Sequence, residues 1–165
     1  MTPPRGRFPS RARGRGLQLG LIAATSLALL FAPSVLALGA TVTRGDIHPF
    51  AAGAGLGVSG SAQMIRTPDG RTIVTVHLEG LSPDTTYASH VHAAACDVGD
   101  ADGHYKFDPA GAATPPNEIW PGPITTNDAG VGNGNTIAAG TAGPAARSVV
   151  VHAPGGAKIA CADLR

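Results

Sequence analysis

Aromatic side chains are scarce in this sequence: one Trp, two Tyr and four Phe among 165 residues. A core must therefore come from Val, Ile, Leu and Ala. Helical periodicity is missing too. No segment after residue 40 repeats apolar residues at the spacing of an amphipathic helix, which leaves strands as the regular element. Charge is thin, at 14% Asp, Glu, Lys and Arg, and cysteine is limited to Cys96 and Cys161. The length suits one domain.

The first forty residues stand apart from the rest. Residues 1–16 hold five arginines (Arg5, Arg7, Arg11, Arg13 and Arg15) and no acid, and an apolar run follows from Leu17 to about Leu38. Val35-Leu36-Ala37 offers small residues at the positions a signal peptidase reads. Basic, then apolar, then a small-residue cut is the layout of a secretory signal peptide, with cleavage expected after Ala37 and Ala40 as the second site. Membrane contact is then transient. The competing reading is an uncleaved anchor, since the run is long enough to span a bilayer. Export places the chain in a secreted, periplasmic or cell-envelope location. Without residues 1–37 the chain keeps seven bases against eleven acids, and 7 − 11 = −4 gives no footing for a nucleic-acid partner.

In an oxidising compartment Cys96 and Cys161 read as one disulfide, the other reading being two free buried thiols. The bond would close a loop of 161 − 96 = 65 residues. Loop entropy makes that worth about 4 kcal/mol.

Residues 38–60 are small and Gly/Ala-rich, and read as a linker or irregular edge strand. The domain proper is expected over 61–165. Ala62–Thr67 and Arg71–Glu79 read as hairpin arms joined by Pro68-Asp69-Gly70. In the second arm Val74, Val76 and Leu78 share one face, so His77 falls on the polar one and reads as a surface residue, as does His48. Further strands are expected near 85–92, 131–138, 147–152 and 158–163. Five prolines between His104 and Asp128 make that stretch a loop, with Trp120 capping a core. Short strands with Gly/Pro turns predict an all-β fold: an antiparallel sandwich or barrel of seven or eight strands.

The chemistry concentrates around His90-Val91-His92, Cys96 and Gly103-His104. On a strand His90 and His92 leave the same face, roughly 6.5–7 Å apart, so two imidazoles can converge on one ion. His104 follows in an Asp/Gly-rich loop that can fold back, and His152 closes a β-branched run far along the chain. Four neutral imidazoles suit copper best, with zinc or nickel as further options. The alternative is two exposed strand histidines and two unrelated ones.

The order of these features resembles the copper/zinc superoxide dismutase family, whose fold is a Greek-key β-sandwich. The matching residues are Gly80-Leu81-Ser82-Pro83, His90-Val91-His92, Cys96, Gly103-His104-Tyr105-Lys106-Phe107-Asp108-Pro109, Val150-Val151-His152 and Lys158-Ile159-Ala160-Cys161. They cover about residues 60–165, with a short gap between His92 and Cys96 and one inserted residue near Lys106. The resemblance implies copper on His90, His92, His104 and His152, a disulfide between Cys96 and Cys161, and superoxide as substrate. It also implies Lys158 where the family has an anion-meeting arginine, keeping the charge without the planar fork. Homodimers are common in the family, although no contact residues are legible.

Departures from the family are equally informative. Its zinc site needs further histidines in the loop after the third copper ligand, and none occurs between His104 and His152. A family-type zinc site is therefore expected to be absent, and Asp108 alone cannot hold the ion. Only Ala153–Ala157 remain of the guiding loop before the last strand. Three readings follow: a copper-dependent dismutase with Lys158 meeting the anion and Arg147 helping from further out, a copper-binding or scavenging module with little turnover, and a sandwich with a vestigial site. Asp108 or Glu118 would orient a ligand imidazole from behind.

Overall fold

The computed structural model describes residues 39–165. The signal-peptide reading of residues 1–37 lies outside them. Nine strands occur among the described residues: β1 Thr41–Asp46, β2 His48–Pro49, β3 Ser59–Arg66, β4 Thr72–Glu79, β5 Thr86–His92, β6 Ile124–Thr125, β7 Gly132–Ala138, β8 Ser148–His152 and β9 Lys158–Asp163. They form two antiparallel sheets, ordered β1-β3-β4-β7 and β2-β9-β8-β5-β6. The only helical element among these residues is one 3-10 turn at Ala51–Gly53.

The expected hairpin is β3–β4, registered from Ser59↔Glu79 to Arg66↔Thr72 around the Pro68-Asp69-Gly70 turn. The stretch before it is more regular than its composition suggests. β1 pairs β3 over all six of its residues, from Thr41↔Arg66 to Asp46↔Ser61. Small residues serve a purpose at this edge. A Cβ on Gly45 would collide with the Asp163 carbonyl, because β1 passes directly against the end of β9.

The interior is aliphatic. Met64, Val74, Val76 and Leu78 of the first sheet meet Val91, Val149, Val151, Ile159 and Ala162 of the second, with Tyr87 and Ile124 at the margin. In β4, Val74, Val76 and Leu78 are buried while Thr75 and Glu79 face water. The second sheet lacks that alternation: all five residues of β8 are buried. Its outer face is covered. Val150 and Cys161 form a second small cluster with Ala101, and Phe50 and Cys96 pack against it. The covering chain is the loop after β5, anchored by the Cys96–Cys161 disulfide. Its Cys96 amide donates to Asp163 Oδ1 at 2.8 Å.

Candidate metal centre

The centre lies between the outer face of the second sheet and that covering loop. On β5 the side chains alternate. Tyr87 and Val91 enter the sandwich core, so His90 and His92 point outward. β8 brings His152 to the same face. Ala88 pairs His152 and His90 pairs Val150, so His90 and His152 are diagonal neighbours. His104 arrives on the other flank of β5 as a single extra rung opposite His92, held by Tyr105 N–H to Val91 O at 2.8 Å and Ala93 N–H to Gly103 O at 2.9 Å. One ring nitrogen from each of His90, His92, His104 and His152 lies within 4.8 Å of the other three.

Hydrogen bonds fix which nitrogens face inward. His92 Nδ1 donates to the Asp102 carbonyl at 3.1 Å. His152 Nδ1 donates to the Gly156 carbonyl at 3.1 Å. His104 Nδ1 donates to Glu118 Oε2 at 2.8 Å. Carbonyls and carboxylates only accept, so these three rings carry their proton on Nδ1 and present an Nε2 lone pair. His92 Nε2 and His152 Nε2 then face each other at 3.4 Å with no proton between them. His90 differs, with its Nδ1 buried and without a partner. Buried polar atoms are normally paired. Opposed lone pairs and an orphaned ring nitrogen fit a cation held among the four rings.

Burial favours the neutral form of His90, His92 and His152. Desolvation, followed by the neighbouring charges of His104 and His152, pushes His90 down to about 4, against the opposing pull of Glu118. Desolvation and then His104 push His92 down to about 3, with Lys158 adding to the effect. His152 is lowered chiefly by burial. Neutral imidazole is the ligand form.

The loop that orients His92 is itself unusual. Gly99, Asp100, Ala101 and Asp102 all have positive φ, at 55°, 52°, 65° and 53°. For the three non-glycine residues that conformation costs on the order of 1–2 kcal/mol each. The surroundings hold it: Ala101 is fully buried, and Lys158 Nζ donates to the Asp100 and Asp102 carbonyls at 2.7 Å each. Lys158 thus reaches the loop that braces His92, keeping one N–H free.

Glu118, not Asp108, backs His104. Asp108 sits in an exposed turn and accepts from the Ala110 amide. Glu118 is 2% exposed, and its Oε2 takes both His104 and the Trp120 indole N–H at 2.8 Å. Trp120 corrects the sequence expectation. Rather than capping a core, it lies against His90 with ring centroids 4.9 Å apart. A signal for both existed: Glu118 and Trp120 flank the buried Ile119 at strand spacing, which sends them to one side. The Arg147 amide donates to the His92 carbonyl at 3.0 Å, and the residue lines a groove that contains none of the four histidines. His77 is a surface residue, between Asn133 and Glu79, and His48 is exposed.

The backbone superimposes on solved structures of superoxide dismutase 5 from Candida albicans. An aspartate-to-asparagine variant gives a TM-score of 0.55 at 17% identity, covering 74% of this chain and 90% of that one. The Cu(II) form gives 0.53 at 16% identity over the same shares. The likeness settles the fold. This chain is a superoxide-dismutase-like Greek-key sandwich carrying four histidines able to hold a metal. No protein-family model matches the chain, and no curated protein sequence matches it.

Proposed function

We propose that the protein is an exported, copper-dependent superoxide dismutase that disproportionates superoxide to oxygen and hydrogen peroxide. One observation carries the reading: four imidazoles from β5, β8 and the covering loop converge, with three Nδ1 protons tied outward and the His90 Nδ1 left bare. His90, His92, His104 and His152 would hold the ion. Copper bound there would supply the one-electron exchange, taken from one superoxide and returned to the next.

The chain's own residues do the rest. Lys158 offers a positive charge and a free N–H to an incoming anion, which a domain of net −4 otherwise repels. Glu118 holds the His104 ring in one orientation, and the Asp102 and Gly156 carbonyls do the same for His92 and His152. Those Nδ1 protons are committed, so protons for peroxide come from water. Water reaches the His104 side, where the imidazole is 29% exposed. A zinc site is not part of the proposal: Glu118 stands behind His104 where the family resemblance would require a second metal.

The test is superoxide decay by copper-loaded protein beside His152→Ala. A copper-dependent rate that vanishes in the variant is expected. A rate equal to that of metal-free protein overturns the reading. A second reading, copper binding with little turnover, is favoured by the Lys158 ammonium already engaging two carbonyls. Tight copper uptake with a weak rate would select it.

A further inference from the structure

A different group of residues gathers cations in a groove that none of the four histidines lines. A groove of about 490 Å³ is lined by Arg66, Arg147 and Arg165 together with Thr41, Thr43 and Leu164. Three of the seven bases outside residues 1–37 thus share one groove of an otherwise acidic domain. Their charges are unequally balanced. Arg165 pairs with Asp163 Oδ2 at 2.7 Å. Arg66 meets neutral oxygens only: the Ala142 carbonyl at 2.8 Å, Gly143 and Ala146 carbonyls at 3.5 Å, and Thr43 Oγ1 at 3.4 Å. Among the described residues neither Arg66 nor Arg147 belongs to an ion pair. Three guanidiniums thus face the groove, and one of them is paired with a side-chain carboxylate.

We propose that this groove binds a phosphate-type oxyanion. Guanidinium forks match the oxygens of a tetrahedral dianion, and Arg147 is the candidate to present one; Arg66, whose donors are spent on three carbonyls and Thr43 Oγ1, contributes its fixed positive charge. Thr41 and Thr43 are two apart on β1 and add hydroxyl donors at the rim. Leu164 and Ala146 give the floor an apolar character that suits an esterified phosphate as well as a free one. The anion can therefore come from solution or from a lipid headgroup.

The experiment titrates inorganic phosphate into the full chain at constant ionic strength and follows backbone amides by NMR. Saturable shifts at Thr41, Thr43, Arg147 and Leu164 are expected, with His90 and His152 unmoved and chloride without effect. Arg147→Gln should weaken binding about tenfold. Arg165→Gln, at an 80% exposed side chain, is the second variant and should also weaken it. Non-saturable shifts, shifts centred on the histidines, or binding unchanged in both variants would overturn the proposal. Vesicles of phosphatidylcholine with and without phosphatidylglycerol identify the source. Extra binding to the anionic vesicles that falls in Arg147→Gln assigns a headgroup, and phosphate shifts without it assign a free anion.

Discussion

The first sheet turns one face to water along its length, with Thr75 and Glu79 exposed between buried Val74, Val76 and Leu78. The second sheet is covered on both faces, and all five residues of β8 are buried. The first sheet carries one strand histidine and the second sheet several, and the outcomes are opposite. His77 on the open face is solvated, and its pKa is raised by the Asn133 and then the Glu79 hydrogen bond. His90, His92 and His152 under the covering loop are lowered, chiefly by loss of water. What separates a surface imidazole from a candidate ligand here is the cover, which the disulfide, the Lys158 clamp and the left-handed turn keep in place.

The sharpest break of this contrast is His152→Ala. It removes a ligand rather than a support, so copper affinity should fall by more than the roughly hundredfold expected for supporting residues. Competition with a chromophoric chelator measures it, and an unchanged affinity would end the metal reading. Next is the cover itself. Cys96→Ser with Cys161→Ser should lower stability by about 4 kcal/mol in denaturant unfolding.

Acid should then separate the two kinds of histidine. In metal-free protein, His90 and His92 have folded pKa values of about 4 and 3 against 6.5 when unfolded. Between those limits the unfolded chain binds more protons, so stability rises with pH there and falls as the solution is acidified from 6.5 towards 4. The loss should be at most about 3 kcal/mol for each ring, less where solvent reaches it, read from unfolding midpoints. His77 works in the other direction: its raised pKa contributes stability below 6.5 that disappears as pH climbs through the folded value. Copper loading should flatten the acid limb only.

Glu118→Gln keeps the shape behind His104 but not the charge. Copper affinity should drop by about 10–100-fold with the fold intact, again by chelator competition. The smallest effect belongs to His77→Ala, expected to change stability by no more than about 0.5 kcal/mol and copper affinity not at all. A metal defect in that variant would erase the distinction between the sheets.

The strands of this molecule are legible wherever aliphatics alternate, as in Arg71–Glu79, or run continuously, as in Val149–Val151. The four histidines are legible because three sit on strands with a two-residue period and the fourth folds back from a glycine-rich loop. Less legible was β1, where small residues conceal a fully paired edge strand whose partner is set by the close approach at Gly45. Trp120 escaped, and Glu118 stood level with Asp108, for a different reason. They lie in a proline-rich loop whose one periodic cue is their spacing about Ile119, and their partners His90 and His104 are 30 and 14 residues away, since 120 − 90 = 30 and 118 − 104 = 14. The carbonyls that orient His92 and His152 are invisible to any reading of side chains, because every residue has one.

The position of Trp120 has a practical corollary. It is the only indole in the chain, and it rests against His90 with its N–H on Glu118. Its emission will dim when an open-shell ion settles on that imidazole and recover when a chelator strips it, so the molecule carries its own gauge of occupancy. Loading can be followed in native protein, without a label and without waiting for turnover.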